Sequence, residues 1–413
     1  MTSLTILSDR VVSLAGAAPV RALNDVDLQP SEATIVCEGD LIASVTDGDA
    51  SGATIDARGW TVVPGFVDCH THLPFYGWRA DEDRARLSGE RYEDIHGRSG
   101  GIFRSARMIA EASDEDVLAF GQRLARSMLA TGTTTFETKS GYGLSVEAEL
   151  RQLSLARRLA ERVPQIVTTT CLAAHAVPEG MSEGQWIGVA ADELLPKAAE
   201  YCSSVDIYVE TIAFQLEHAA RLATAAEQLG LAMRMHADQL SDGQAGAFAA
   251  RWNFRSADHL NHTSLDAVGD LVSSETAAVL LPGATYTLRQ TKKPPARDLV
   301  DAGAIVALGT DLNPGTSPIH SMPFAMALAC RLYGLSPAEA LVAGTVNAAY
   351  VLGLQDEVGR LEPGMRADAV VLMADSFEEV VYRPDENLVG IVICGGEIAY
   401  VAPGAEARVK GGL

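Results

Sequence analysis

Two histidines separated by one residue, His70 and His72, directly follow the apolar run at residues 61–67. Side chains two positions apart on a strand point to the same side, so the two imidazoles can bind a single cation. A histidine pair near a turn can also be solvated or packed, and the motif alone does not exclude that. The rest of the chain favours a metal-dependent enzyme.

Polar side chains also end most of the other apolar runs. Eight runs alternate with helical stretches, at residues 61–70, 133–139, 166–175, 205–210, 232–238, 256–260, 277–283 and 304–311. Five of the nine histidines fall at the ends of these runs, which is hard to attribute to chance. In chain order the end residues are His70 and His72, Lys139 and Tyr142, His175, Glu210, His236 and Gln239, His259, and Asp311 with Asn313, whereas the seventh run contributes nothing polar.

The alternation of strands and helices predicts an α/β protein with parallel strands and helical crossovers. Eight units favour a (β/α)8 barrel, whose chemistry lies at the carboxyl ends of its strands. An open doubly wound sheet is the alternative, although no Gly-rich phosphate loop follows a strand. The β-rich chain ends predict a small β-sandwich domain built from residues 1–60 and 356–413, around a barrel at 61–355.

The predicted strand ends supply a metal site. Three neutral imidazoles and a carboxylate, from His70, His72, His236 and Asp311, suit one Zn(II) or Fe(II) ion and leave room for water. Such an ion lowers the pKa of its bound water toward ~7, which indicates hydrolysis. Asp311 can then move a proton to the leaving nitrogen. We expect His259 to orient the hydroxide or to stabilise developing charge.

Two further strand-end residues allow more than one role. His175 is expected to polarise the substrate, although a packed core histidine is the alternative. Glu210 can be a second metal ligand, a substrate contact or a structural partner of Lys139. Because a second cation normally requires a bridging group such as a carboxylated lysine at the fourth strand, which ends in Glu210, we expect one metal.

Composition excludes several classes of partner. The formal net charge of −22 disfavours nucleic acid and anionic membranes, both of which bind clustered Lys and Arg. The six cysteines contain no CxxC, which predicts a reduced, cytoplasmic protein. No apolar run approaches the ~20 residues that span a bilayer. A homodimer with a small anionic substrate is expected.

Several motifs carry a family resemblance. VPGFVDCHTH at residues 63–72 resembles the first-strand motif of the amidohydrolase superfamily, in which a metal-dependent barrel is flanked by a β-sandwich from both chain ends. Within that superfamily the chain resembles the imidazolonepropionases along most of its length. The stretches that match are KSGYGL at 139–144, AHAVP at 174–178, HADQ at 236–239, ADHL at 257–260, LLPG at 280–283 and TDLNPGTS at 310–317.

The resemblance implies a substrate and the residues that bind it. The substrate would be 4-imidazolone-5-propanoate, whose ring is opened by water to N-formimidoyl-glutamate in histidine degradation. Arg79 can bind the propionate at two points, which Lys cannot; a surface salt bridge with Asp81 or Glu82 is the alternative for this arginine. The other contacts implied or expected are Tyr92, Tyr142, His175, Gln239, Asn313 and Gly315.

The chain departs from the family pattern at three places. Tyr208 and Val209 precede Glu210 where the family has Phe-Cys, Ser99 begins a loop that is usually Gly-rich, and Trp78 adds a large ring beside Arg79. These changes leave another cyclic amidohydrolase or ring deaminase as the first rival function. A metal-binding or assembly protein with a degenerate site is the second, and the complete set of histidines with Asp311 disfavours it.

Overall fold

The structure, a computed structural model, describes residues 3–46, 53–97 and 99–410, with the side chains of Ser3, Ala53, Tyr92, Glu93 and His96 outside the description. Both chain ends contribute to one mixed sheet. Its N-terminal strands are β1 (Ser3–Val11), β2 (Ser31–Glu38), β3 (Leu41–Thr46), β4 (Ala53–Asp56) and β5 (Thr61–Pro64).

Eight parallel strands follow and form the barrel in sequential order. They are β6 (Phe66–Asp68), β7 (Thr133–Lys139), β8 (Ile166–Ala174), β9 (Ser204–Val209), β10 (Ala232–Ala237), β11 (Ser256–His259), β12 (Ala277–Leu280) and β13 (Val306–Leu308). The chain then returns to the end sheet as β14 (Ala369–Leu372), β15 (Val389–Cys394), β16 (Glu397–Val401) and β17 (Val409–Lys410). The predicted barrel with a β domain from both chain ends is confirmed.

Helices connect the strands. They are α1 (Ala80–Leu87), α2 (Tyr92–Gly97), α3 (Ile102–Glu111), α4 (Asp114–Ala130), α5 (Val146–Ala160), α6 (Glu183–Val189), α7 (Leu195–Ala198), α8 (Leu216–Gln228), α9 (Ala245–Arg251), α10 (Asp266–Ser273), α11 (Pro282–Thr287), α12 (Ala296–Asp301), α13 (Met322–Tyr333), α14 (Pro337–Ala343), α15 (Val346–Leu352) and α16 (Glu378–Tyr382). Within the described ranges none of them is long and apolar enough to cross a membrane.

Local sequence explains the first long crossover. Ser113 accepts a hydrogen bond from the Asp116 backbone N–H and caps α4. Acidic residues in the first turn interact favourably with the positive end of the helix dipole. The buried face of α4 includes Val117, Leu124 and Met128. Strand β7 is buried at every position, as expected for a parallel strand covered on both sides.

The barrel closes at the same end as the predicted site. The Asp311 N–H donates to the His70 carbonyl at 2.9 Å, and the His72 N–H donates to the Leu312 carbonyl at 2.9 Å. These two bonds join the segment after β6 to the segment after β13. The first predicted metal ligands and the last are therefore brought together by backbone hydrogen bonds.

The predicted first barrel strand, residues 61–70, is divided in two. Its first half, β5, pairs with β1 and β14 in the end sheet, and only β6 enters the barrel. Gly65 lies at the crossing, where a Cβ would come within 2.1 Å of the Thr134 Oγ1 atom. A continuous apolar run could not reveal this division, because both halves are buried.

The end sheet contains a buried carboxyl group that makes stability pH-dependent. Burial raises the pKa of Asp368 to about 6, against a usual 3.8. The folded state therefore binds a proton more tightly than the unfolded chain, and this group's stabilising contribution falls as pH rises through 6. Between pH 5 and 8 the loss is about 1 kcal/mol. We expect the Asp368→Asn variant to lack this loss.

Thermal unfolding from pH 5 to 8 measures the effect. The Tm of the wild type relative to Asp368→Asn should be higher at pH 5 than at pH 8. Asp375→Asn is the matched control, because Asp375 is an exposed partner of Arg10. Equal pH slopes for wild type and Asp368→Asn would contradict the assignment.

Candidate active site

The structure brings four of the predicted residues to one point at the carboxyl ends of the barrel strands. His70 and His72 follow β6, His236 lies in β10, and Asp311 follows β13. The ring centroids of His70 and His236 are 4.6 Å apart, and those of His72 and His236 are 5.4 Å apart. One nitrogen from each of the three imidazoles lies within 4.8 Å of the others.

The carboxylate of Asp311 belongs to the same group. Its Oδ1 atom lies 3.2 Å from the His72 Nε2 and 3.6 Å from the His70 Nε2. His259 joins His70 and Asp311 in a second trio of potential ligand atoms with the same 4.8 Å limit. The arrangement can therefore hold a cation between His70, His72, His236 and Asp311, with His259 directly beside it.

The donor atoms of this group fit a metal ion. The Nε2 atoms of His70 and His236 and a ring nitrogen of His72 and of His259 are buried and have no hydrogen-bond partner among the described residues. Leaving a buried polar atom unpaired costs about 1–3 kcal/mol each. The unpaired Nε2 atoms of His70 and His236 lie in the group around Asp311 and are best explained by a cation that they share, whereas the unpaired nitrogens of His72 and His259 are their Nδ1 atoms.

Two buried carboxylates fix the orientation of the imidazoles. The Nδ1 of His70 lies 2.6 Å from the Asp258 Oδ2, and the Nδ1 of His236 lies 3.1 Å from the Asp206 Oδ1. A carboxylate accepts the Nδ1–H of each ring, so the lone pair of each ring is on Nε2. Carboxylate partners of this kind orient ligating histidines and raise their basicity.

A layer of buried charges holds these carboxylates beneath the site. The Lys139 Nζ lies 2.7 Å from the Glu137 Oε1 and 2.9 Å from the Asp206 Oδ2. Arg234 donates to Glu137 and, at 2.8 Å, to the Asp258 Oδ2. All five side chains are fully buried. Removing one member would leave the others uncompensated in a low-dielectric interior, which would strongly destabilise the protein.

Burial also sets the protonation of the site. It lowers the pKa of His70, His72 and His175 well below the usual value, with contributions from neighbouring cationic groups. It lowers the pKa of His259 to about 3, and it raises the pKa of Asp311 while His259 lowers it. These four imidazoles are therefore neutral, and the neutral form is the one that binds a metal.

The backbone is strained at two of these residues. His259 has φ of 79° and Asp311 has φ of 56°, in the left-handed region that non-glycine residues rarely adopt. Strain of this kind costs about 1–3 kcal/mol and concentrates at functional sites. Here it turns the side chains of both residues toward the cavity that they line.

Arg79 also lines this cavity and is only 2 % exposed. Its Nε lies 3.6 Å from the Glu82 Oε2, and its Nε and Nη1 have no hydrogen-bond partner among the described residues. Of the alternative, a surface salt bridge with Asp81 or Glu82, the ion pair with Glu82 is present, but it is buried, and Asp81 pairs with Arg104. A buried arginine with free N–H groups is suited to bind an anion.

Glycine at position 315 makes room for this arginine. A Cβ on Gly315 would lie 1.8 Å from the Arg79 Nη2. The Asn313 Oδ1 accepts hydrogen bonds from the N–H groups of Gly315, Thr316 and Ser317, and its Nδ2 donates to the Asp311 carbonyl. Asn313 thus organises the loop with both polar atoms, and direct substrate contact by Asn313 and Gly315 stays a prediction.

The structure places most, but not all, of the remaining predicted substrate contacts. Tyr142, His175 and Gln239 line the cavity together with Tyr208 and Ile102. The side chain of Tyr92 lies outside the described residues. The roles of all these residues remain predictions, although the structure places the first three where a substrate would bind.

Two departures from the family pattern have structural explanations. Trp78 is 39 % exposed and packs edge-on against Phe75, at 5.3 Å between ring centroids, and it does not line the cavity. Ser99 has φ of 62°, the conformation that a glycine adopts most readily. Neither residue places a side chain in the substrate cavity.

Glu210 is not a structural partner of Lys139, one of the three roles considered from the sequence. One of its carboxylate oxygens accepts the N–H groups of Leu240 and Ser241, and the other accepts the Thr211 N–H at 2.8 Å and the Ser241 hydroxyl. Glu210 therefore holds the loop after β10, which carries Gln239. Lys139 pairs with Glu137 and Asp206 instead.

Sequence reasoning missed the charged layer. Glu137, Asp206, Arg234 and Asp258 lie inside apolar strands, where charged residues are rare unless they are paired. The two-residue period of a strand places Glu137 on the side of Lys139 and Arg234 on the side of His236. That period was a usable signal, because it could have found two members of the layer from the predicted site residues.

Comparison with known proteins shows the family to which the chain is similar. A model of the amidohydrolase family matches residues 61–399. The chain is 43% identical over 400 residues to an imidazolonepropionase of Rubrobacter xylanophilus, covering 94% of this chain and 96% of that protein. It is also 43% identical over 330 residues to an imidazolonepropionase of Hahella chejuensis, covering 79% and 82% of the two chains.

A solved structure shares the fold. The crystal structure of an adenosine deaminase from Xanthomonas campestris with bound zinc superposes with a TM-score of 0.70 at 17% sequence identity, over 98% of this chain and 96% of the other. At this identity the likeness concerns the fold alone.

Proposed function

We propose that this chain, which belongs to the amidohydrolase family and within it to the imidazolonepropionases, hydrolyses 4-imidazolone-5-propanoate to N-formimidoyl-glutamate. One observation carries the proposal. His72, His236 and Asp311 of the cluster line a small cavity together with the buried guanidinium of Arg79, whose Nε and Nη1 have no hydrogen-bond partner among the described residues. A hydrolytic metal centre and an anion anchor are the two features that a carboxylate-bearing cyclic amide requires.

The cofactor is a metal, and we propose a single Zn(II) or Fe(II) ion. Three imidazoles and one carboxylate suit either ion. Such an ion supplies a water molecule of lowered pKa at neutral pH. A second ion would need a bridging group at the end of the fourth barrel strand, where the chain has Glu210. Both carboxylate oxygens of Glu210 are engaged, by the loop at residues 240–241 and by Thr211. This supports one ion.

In the proposed reaction, water adds to the ring carbonyl carbon, the bond from this carbon to the ring nitrogen breaks, and the nitrogen takes up a proton. Asp311 accepts the proton of the attacking water on its carboxylate and delivers it to the leaving nitrogen. His259 lies beside Asp311 and orients the attacking oxygen. Burial keeps bulk water away from Asp311 and His259, which strengthens the interactions of both residues with the attacking water.

We assign the positioning of the substrate to residues other than the metal ligands. The N–H groups of Arg79 bind the propionate in a two-point contact, and the hydroxyls of Tyr92 and Tyr142 add donors. Gln239 contacts the ring and does not titrate, so the acid–base work falls to Asp311. His175 completes the contacts with the ring.

We also propose three properties at the level of the whole protein. The domain boundaries fall at residue 65 and at residue 355, the first after β5 and not at the predicted 60 because β5 pairs within the end sheet. The active form is a homodimer, and the protein acts in the cytoplasm. The six free cysteines, four of them buried, agree with a reducing compartment. Sedimentation of the purified protein measures the oligomeric state.

An ultraviolet assay of ring loss tests the function. Freshly generated imidazolonepropionate should be consumed, with N-formimidoyl-glutamate as product, and hydantoins, dihydropyrimidines and aminopurines should not. Elemental analysis of the same sample should find one zinc or iron per chain. Turnover of a panel compound in preference to imidazolonepropionate would instead identify another cyclic amidohydrolase or a ring deaminase.

A further inference from the structure

The loop after β7 is held by one buried side chain from helix α5. Glu149 is 1 % exposed. Its Oε2 accepts the Gly141 N–H at 2.7 Å, and its Oε1 accepts the N–H groups of Gly143 at 2.7 Å and Leu144 at 2.9 Å. A carboxylate that accepts three backbone N–H groups fixes the path of a loop more strongly than neutral hydrogen bonds do.

The loop is packed tightly enough to transmit this constraint. Gly141 has φ of 110°, and a Cβ there would lie 2.9 Å from the His175 Nδ1. A Cβ on Gly143 would lie 2.3 Å from the Glu149 backbone nitrogen. The loop backbone is therefore in direct contact with helix α5 on one side and with the ring of His175 on the other.

The contact with His175 determines which ring nitrogen carries hydrogen. The His175 Nδ1 lies 3.0 Å from the Gly141 carbonyl oxygen. A carbonyl can only accept, so Nδ1 carries the hydrogen and the neutral ring has its lone pair on Nε2. His175 lines the substrate cavity, and its Nε2 is the ring nitrogen that Gly141 does not engage.

We propose that Glu149 is a positioning residue that fixes the tautomer of His175 through the Gly141 carbonyl, so that the Nε2 of His175 accepts a hydrogen bond from a ring N–H of the substrate. This rests on the proposed function for the identity of the substrate. From the sequence, His175 is expected to polarise the substrate, and polarisation of a substrate carbonyl would require Nε2 to donate. The tautomer set by Gly141 gives it the opposite role.

A neighbouring side chain supports the same loop. The Gln152 Oε1 accepts the Tyr142 N–H at 3.0 Å, and its Nε2 donates to the Pro74 carbonyl at 3.0 Å. Glu149 does not line the cavity, so it does not contact the substrate. Its influence on the reaction must pass through the loop.

Nitrogen NMR of the histidine rings tests the tautomer without substrate. In the wild type labelled with 15N-histidine, the His175 signals, assigned by their loss in His175→Asn, should show hydrogen on Nδ1. In Glu149→Gln the amide replaces one acceptor oxygen by a donor, and we expect a mixture of both tautomers. Hydrogen on Nε2 in the wild type, or an unchanged tautomer in the variant, would overturn the proposal.

Kinetics separate positioning from stability. We expect Glu149→Gln to lower kcat about tenfold per mole of folded, metal-loaded protein, with KM changed less than threefold. The control is Glu339→Gln, because Glu339 also accepts a backbone N–H, from Ser336, and lies outside the substrate cavity. It should lower Tm without changing kcat. A Glu149→Gln variant that loses only Tm would show a merely structural role.

A double variant tests the route of the effect. In a His175→Asn background, Glu149→Gln should lower kcat less than threefold, because the ring through which it acts is absent. Additive effects would exclude the route through His175. If Glu149→Gln does not fold, Glu149→Asp replaces it in each experiment, since it keeps the charge and shortens the reach. Absence of imidazolonepropionate turnover by the wild type would reject the function, whereas the NMR result would still decide the tautomer.

Discussion

Replacement of Asp311 by asparagine is expected to lower kcat by at least ~10³-fold, the largest effect predicted for this protein. General acid–base catalysis alone contributes about 10²–10⁴-fold, and Asp311 also lies among the predicted metal ligands, 3.2 Å from the His72 Nε2. Asparagine is the suitable substitute, because φ of 56° is tolerated by asparagine better than by most residues. The ring-loss assay measures kcat.

Metal content and Tm complete this experiment. Because three imidazoles remain, Asp311→Asn should keep a measurable part of the bound metal, so that the loss of kcat per bound ion separates proton transfer from metal binding. Asp301→Asn is the control, as Asp301 is an exposed partner of Arg297. If Asp311→Asn retained more than a tenth of wild-type kcat, the proposed role in proton transfer would be wrong.

Strand ends were predictable from the sequence because of a simple physical rule. Parallel strands of a barrel place their carboxyl ends on one face, so residues that end separate runs, such as His70, His236 and Asp311, must lie near one another. The rule requires no contact information. It placed the histidine cluster and the Tyr142–His175 side of the cavity on the correct face.

Contacts between loops could not be predicted in the same way. Glu149, Glu210 and Asn313 each collect backbone N–H groups from a loop, and which loop depends on its conformation in three dimensions. Glu149 also lies within a regular helix, where a glutamate usually faces solvent. The sequence shows Glu149 but has no periodic pattern that would identify the loop N–H groups that it binds.

Replacement of Arg79 by alanine is expected to lower kcat/KM more than tenfold, mainly through KM. The guanidinium is 2 % exposed, and its unpaired N–H groups can offer a carboxylate two charge-assisted hydrogen bonds. A hydrogen bond to a charged group is worth about 1.5–3 kcal/mol, which corresponds to about 10–150-fold. The kcat/KM of Arg79→Lys should lie between those of the wild type and Arg79→Ala, because an ammonium group keeps the charge but cannot bind at two points.

A substrate without the carboxylate shows whether Arg79 acts on this group. For the wild type, an imidazolone with an ethyl side chain should have a much lower kcat/KM than imidazolonepropionate, and in Arg79→Ala this difference should nearly vanish. Gly315→Ala should resemble Arg79→Ala, because its Cβ would displace the guanidinium, whereas Arg251→Ala, at an exposed site, should have no effect. If Arg79→Ala kept kcat/KM within twofold, the arginine would not bind the carboxylate. The decisive quantity is the ratio of kcat/KM for the two substrates, compared between the wild type and Arg79→Ala. A folding defect would lower kcat/KM equally for both substrates and leave this ratio unchanged.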